Sequence, residues 1–138
     1  MKLYAISENH LFSKVYSKGK KVSCRNVAVY VLTDYHSNRL RKENPLKTAV
    51  NRVGITVSKK IGGAVVRNRV KRIIREGYRA ADKKIGIRTG FLVVVVARDT
   101  AVNKKSQDIE SDIIYAMTKL NMLKPTQTQK TQEAGTTT

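Results

Sequence analysis

The chain has no tryptophan, two phenylalanines, two prolines and one cysteine in 138 residues. A single cysteine, Cys24, can close no internal disulfide and build no cysteine-based zinc site, so a reducing, cytoplasmic compartment is expected. The longest unbroken apolar run, Phe91–Ala97, is far short of the roughly 18–20 residues of a membrane span. The opening MKLYAISENH lacks both the apolar centre of a secretory signal and the Arg/Ser-rich character of a transit peptide. Histidine occurs twice, as His10 and His36, with no spacing that suggests a general acid–base pair. Acidic residues are scarce and scattered, and Asp108, Glu110 and Asp112 read as charges in the first turns of a helix rather than a two-metal cage. Nothing in the sequence suggests a nuclease that carries its own catalytic groups.

What is abundant is positive charge. Twenty-eight Lys and Arg stand against ten Asp and Glu, a formal net charge of +18. Apolar residues make up 41% of the chain, enough for the core of one domain and too many for wholesale disorder. From Arg52 to Lys84 eleven cations face only Glu76 and Asp82. Self-repulsion of that density within a folded segment is tolerated mainly where a polyanion relieves it, so nucleic acid is the expected partner. A membrane surface fits less well, because no helix pairs a basic face with exposed Trp, Phe and Leu.

Periodicity organises the chain. A helix opening at Ser7 places Leu11, Phe12, Val15 and Tyr16 on one stripe and stops at Gly19. Residues Val22 to Tyr35 alternate as a strand, with Val27, Val29 and Val31 on one face and Ala28, Tyr30 and Leu32 on the other. The stretch 36–49 reads as a loop or hairpin connection. A second strand spans Val50–Ser58, Gly62-Gly63 ends it, and a helix runs from about Ala64 to Lys84. Phe91–Ala97 suits a strand covered on both faces, and a last helix starts near Ser106 with Ile109, Ile113, Met117 and Leu120 inward. Residues 1–123 form the domain, and the Thr/Gln-rich tail 124–138 has the composition of a disordered segment. The order α–β–β–α–β–α indicates a small α+β or α/β sandwich.

Projected at about 100° per residue from Val65, the basic helix separates into two sides. Val66, Val70, Ile73, Ile74, Gly77, Ala80 and Ala81 form the stripe to be buried. Asn68, Lys71, Arg72, Arg75 and Arg79 lie opposite, with Arg67 and Arg69 at its borders. Successive turns are about 5.4 Å apart, and an arginine fork can grip a phosphate bidentately. Lys59 and Lys60 stand before the helix N-terminus, which itself favours anions.

The block RVGITVSKKIGGAVVRNRVKRIIREGYR, Arg52 to Arg79, resembles the signature region of the bacterial ribonuclease P protein component. The match reads Val57-Ser58-Lys59-Lys60, Gly62, Ala64-Val65, Arg67-Asn68-Arg69, Lys71-Arg72 and Arg75-Glu76. Upstream, Phe12-Ser13-Lys14-Val15-Tyr16, Gly19 and Tyr30 are similar to the family's first helix, turn and aromatic strand, and the likeness covers about residues 7 to 123. The resemblance implies a protein subunit, not itself catalytic, of a ribonucleoprotein endonuclease that removes the 5′ leader of precursor tRNA. The RNA subunit and the substrate hold the Mg²⁺ ions. The implied fold is a small central β-sheet with packed helices, like a domain of ribosomal protein S5, containing a left-handed βαβ crossover formed by the basic helix. The implied RNA-subunit contacts are Lys59, Lys60, Arg67, Asn68, Arg69, Lys71, Arg72, Arg75 and Arg79. The implied leader contacts are Phe12, Tyr16 and Tyr30, since stacking on aromatics tolerates any leader sequence.

Other classes fit less of the sequence. A ribosomal protein or general RNA chaperone would share the charge without requiring the whole signature block. A helix-turn-helix DNA regulator would need a helix before the basic one, where the sequence reads as strand plus Gly-Gly.

Overall fold

The computed structural model describes residues 4–6, 9–34 and 51–123. The expected N-cap at Ser7, the connection at 36–49 and the tail from 124 lie outside the described residues. In chain order the elements are β1 (Tyr4–Ala5), α1 (Asn9–Lys18), β2 (Lys20–Ser23), β3 (Val27–Thr33) and β4 (Arg52–Thr56). A 3₁₀ turn at Lys59–Ile61 leads into α2 (Ala64–Ile85), followed by β5 (Phe91–Ala97), a second 3₁₀ turn at Asp99–Asn103 and α3 (Ser106–Lys119). The expected α+β architecture is present, with two differences. A short β1 precedes α1, and the single strand expected over Val22–Tyr35 is a hairpin, β2 and β3, folded at Cys24–Asn26. Its turn is built from side-chain chemistry that strand periodicity does not report. Asp112 of α3 accepts the Asn26 N–H at 2.8 Å, and Arg98 donates to the Cys24 carbonyl at 2.9 Å.

The five strands lie in the order β1-β4-β5-β3-β2, with β4 parallel to both β1 and β5 and the remaining pairs antiparallel. The solid apolar run of β5 sits at the centre, as its composition demands. Val93, Val95 and Ala97 face α2 and α3, while Leu92 and Val94 face α1. Helix α1 buries Leu11 and Val15 against the second face with Ile6. Helices α2 and α3 cover the first face through Val70, Ile73, Ile74, Ile109, Ile113 and Met117. Their close approach depends on Gly77, where an added Cβ would lie 2.9 Å from Ile109.

Val53 reveals the hand of the β4–α2–β5 crossover. Its side chain lies in the core under α2, and its carbonyl accepts the Ile6 N–H at 3.3 Å, so the carbonyl faces β1. For an L-residue seen from its side-chain face, with the strand running upward, the carbonyl points right. β1 is therefore to the right of β4, and β5 to its left. The chain rises through β4, returns through α2 on the viewer's side and enters β5 on the left. The crossover is left-handed, against a rule obeyed in about 98% of such units.

Polar side chains lock the end of the sheet where β4 and β5 begin. Arg52 grips Asp34, only 2% exposed, in a bidentate pair at 2.8 and 3.0 Å. Asn51 accepts the Phe91 N–H at 2.9 Å and donates to the Arg88 carbonyl at 2.7 Å and to the Tyr78 hydroxyl at 3.3 Å. Tyr78, which the helical projection left off the buried stripe, is a core residue of α2. Burial pushes its hydroxyl well above the ordinary tyrosine range.

Candidate RNA-binding surfaces

Two surfaces carry the residues singled out in the sequence, and they lie on opposite faces of the sheet. The first is the outer side of α2. Asn68, Arg72, Arg75 and Arg79 are exposed, as are Lys59 and Lys60 on the 3₁₀ turn before it. Among the described residues none of these five cations makes an ion pair. Other members of the basic block behave differently. Arg52 is held by Asp34, and Lys84 pairs with Glu110 of α3 at 3.3 Å. Arg69 donates to the Val102 carbonyl at 2.6 Å and to the Lys104 carbonyl at 3.5 Å, clamping the second 3₁₀ turn to the first turns of α2. Arg67 and Lys71 are half-buried, and the Arg67 Nε is screened from solvent without an acceptor among the described residues.

Sequence reasoning passed over Val65, which is 84% exposed on the first turn of α2. A single apolar side chain at the surface is ordinary and by itself assigns nothing.

The second surface is the side of the sheet that carries α1. Tyr30 of β3 points there, away from Val27, Val29 and Val31. Tyr16 meets it edge to face, with ring centroids 5.0 Å apart and planes at 82°. The Tyr16 hydroxyl and the Thr56 Oγ1 are 2.7 Å apart in a hydrogen bond, which anchors the ring across β4 while leaving Tyr16 39% exposed. The Lys21 Nζ lies 5.4 Å from the Tyr30 centroid, placing a cation beside the ring pair. The structure thus brings Tyr16 and Tyr30 together as a platform with a cationic rim.

Phe12, one turn earlier on α1, is held differently. It is half-buried, packs with the α1-side core, and lies on β4 where an added Gly54 Cβ would be 2.5 Å from its ring. Gly54 and Thr56 share the β4 face with these aromatics. Their alternation with Val53 and Ile55 was the available sign of it.

The remaining candidates have structural placements. Cys24 is buried at the β2–β3 turn with its Sγ 3.4 Å from the Asp112 carbonyl. Burial, then the Asp112 carboxylate, raises its thiol to about 11 against the opposing pull of Arg98. Asp108 does cap α3, accepting the Lys105 N–H at 3.0 Å, whereas Asp112 and Glu110 are spent on the hairpin turn and on Lys84. Among the described residues no three His, Cys, Asp or Glu side chains converge to hold a metal ion. Nor is any helix among them long and apolar enough to cross a membrane.

The family model described as Ribonuclease P matches residues 1–121. The Ribonuclease P protein component of Alkaliphilus oremlandii is 35% identical over 118 residues, covering 86% of this chain and 91% of that protein. The same component of Thermoanaerobacter pseudethanolicus is 40% identical over 124 residues, covering 90% and 91%. The solved RNase P protein of Staphylococcus aureus superposes with a TM-score of 0.68 at 28% identity, over 89% of this chain and all (100%) of that one. The RNase P protein of Thermotoga maritima shares the fold with a TM-score of 0.62 at 22% identity, over 80% and 92%. With the signature block placed on an exposed helix face and the aromatic platform on the opposite side of the sheet, the chain belongs to the ribonuclease P protein component family.

Proposed function

We propose that the protein assembles in the cytoplasm with a ribonuclease P RNA and supports endonucleolytic removal of the 5′ leader from precursor tRNA, without supplying a catalytic group. The observation that carries this reading is that Lys59, Lys60 and Arg72 are exposed on the turn before α2 and on its outer side, with no ion pair among the described residues. Lys59 and Lys60 stand before the N-terminal end of α2, where the dipole also favours anions, and Asn68 and Arg72 continue the polar face along the helix. Arg67 lies among them at the border, and Arg69 both joins this end of the face and holds the adjoining turn. This end of the helix meets the RNA subunit. The Tyr16–Tyr30 platform, with Phe12 beside it, receives the single-stranded leader by stacking. Mg²⁺ would be held by the RNA subunit and the substrate rather than by a protein site, and would supply Lewis-acid chemistry there.

The test is to add the protein to a bacterial ribonuclease P RNA at low Mg²⁺ and near-physiological salt. Stimulated cleavage of precursor tRNA, with tighter binding of precursor than of mature tRNA, is expected. RNA binding without stimulation would favour a general RNA chaperone instead.

A further inference from the structure

A recess of about 340 Å³ opens at the edge of β4, between the two surfaces. Among the described residues the pairing of β1 with β4 ends at Val53, and the recess lies at the β4 edge from Gly54 onward, past that pairing. One wall is Phe12 with Gly54 and Ile55, and the other is Lys71, Arg75 and Arg79, reaching round from α2. The volume is at the small end of ligand sites, which run from roughly 300 to 1,000 Å³. No carboxylate lines it among the described residues, and none of its three cations has an ion pair there. An aromatic ring facing clustered cations in a space of this size suits one nucleotide, with the base against the ring and the phosphate on the guanidinium groups. Phe12 is also the i−4 neighbour of Tyr16 on α1, so a strand leaving the Tyr16–Tyr30 platform reaches this recess next.

We infer that Phe12, Lys71, Arg75 and Arg79 form a nucleotide site for the single-stranded leader, so that α2 serves two RNAs. The side of the helix that carries Asn68 and Arg72 near its start meets the RNA subunit, and the Lys71–Arg75–Arg79 row meets the substrate. This rests on the proposed function and divides between two partners a helix face that the sequence assigns to one.

The experiment uses the reconstituted holoenzyme with the double variant Arg75→Ala/Arg79→Ala. Both residues are exposed, and a thermal melt matching the wild type confirms that the fold is retained. Affinity is measured for precursor tRNAs with leaders of increasing length, for mature tRNA, and for the RNA subunit. The expected result is at least a tenfold loss for long-leader precursor, no loss for mature tRNA, and RNA-subunit affinity within twofold of wild type. The log–log salt slope of precursor binding should become shallower by about 1.4, at roughly 0.7 per lost single-stranded contact. Arg75→Lys/Arg79→Lys should restore that slope.

Weakened assembly, or equal weakening toward both tRNAs, would return these arginines to the RNA-subunit face. Unchanged precursor affinity would show the recess to be unused. A wild-type holoenzyme with no preference for precursor would instead overturn the functional reading itself, and the inference with it.

Discussion

Tyr16 and Phe12 sit one turn apart on α1 and should fail differently when truncated. Tyr16 is substantially exposed and, among the described residues, is tied by one hydroxyl bond and an edge contact, so Tyr16→Ala should cost about 1 kcal/mol of stability. Its loss should appear in binding, at about 1–3 kcal/mol for one stacked base, or roughly 5- to 150-fold for precursor and none for mature tRNA. Phe12 lies against the Gly54 backbone, and Phe12→Ala should also destabilise the fold, by about 3 kcal/mol at the low end of buried Phe truncations. Thermal melts beside tRNA affinities separate the two. A Tyr16→Ala chain that no longer folds would return that ring to the core.

Cys24 gives a second prediction at this scale. With the thiol raised to about 11 from 9.0, the folded chain keeps the proton where the unfolded chain loses it. This group's contribution to stability is therefore intact below about pH 9 and lost as pH rises toward 11. At pH 8 its thiolate population is about a hundredfold below that of the unfolded chain, so labelling by a disulfide reagent should be slowed at least that much. Equal labelling rates in buffer and in urea would contradict the buried placement.

At the scale of elements, α2 is positioned by one glycine and one arginine more than by its charge. Alanine is the better helix former by about 1 kcal/mol, yet Gly77→Ala should destabilise the protein because the new methyl meets Ile109. The expected net loss is about 1–3 kcal/mol, read as a lower denaturant midpoint, and a raised midpoint would show that α3 gives way freely. Arg69→Ala should release the carbonyls of Val102 and Lys104. Amide exchange over residues 99–105 should then accelerate in the free protein, before any RNA is added. Unchanged exchange would mean that the turn is held by its own Ala101 packing, with Arg69 left to bind RNA alone.

Across the whole molecule a net charge of +18 sets two salt responses of opposite sign. Raising ionic strength from about 0.01 to 0.15 M shortens the screening length from about 30 to 8 Å and relieves self-repulsion, so the thermal midpoint should rise. RNA affinity should fall over the same range, because counterion release is its main driving force. Scanning fluorimetry and filter binding in one salt series would measure both. A thermal midpoint that falls with salt would mean that ion pairs such as Arg52–Asp34 outweigh the repulsion.

Period and composition were enough to place the helices and the central strand and to point to a polyanionic partner. Ala64–Ile85 and Phe91–Ala97 follow directly from the spacing of Val70, Ile73 and Ile74 and from an apolar run that must be covered on both faces. The signature block further implied a left-handed crossover, which the Val53 carbonyl then showed, although no periodic pattern encodes a hand. Tertiary structure alone decided which cations are available. Arg52, Arg69 and Lys84 look alike in sequence to Arg72 and Arg79, yet their acceptors are distant in sequence: Asp34, the Val102 and Lys104 carbonyls, and Glu110. The hairpin turn at Cys24–Asn26 was hidden for the same reason, since its anchor, Asp112, is 86 residues from Asn26. The recess at the β4 edge was hidden too, because it joins Phe12 to Arg75 and Arg79, far apart in sequence, past the last described pairing of β1 with β4. Local pattern reports what a side chain needs, and only the fold brings the group that meets that need within reach.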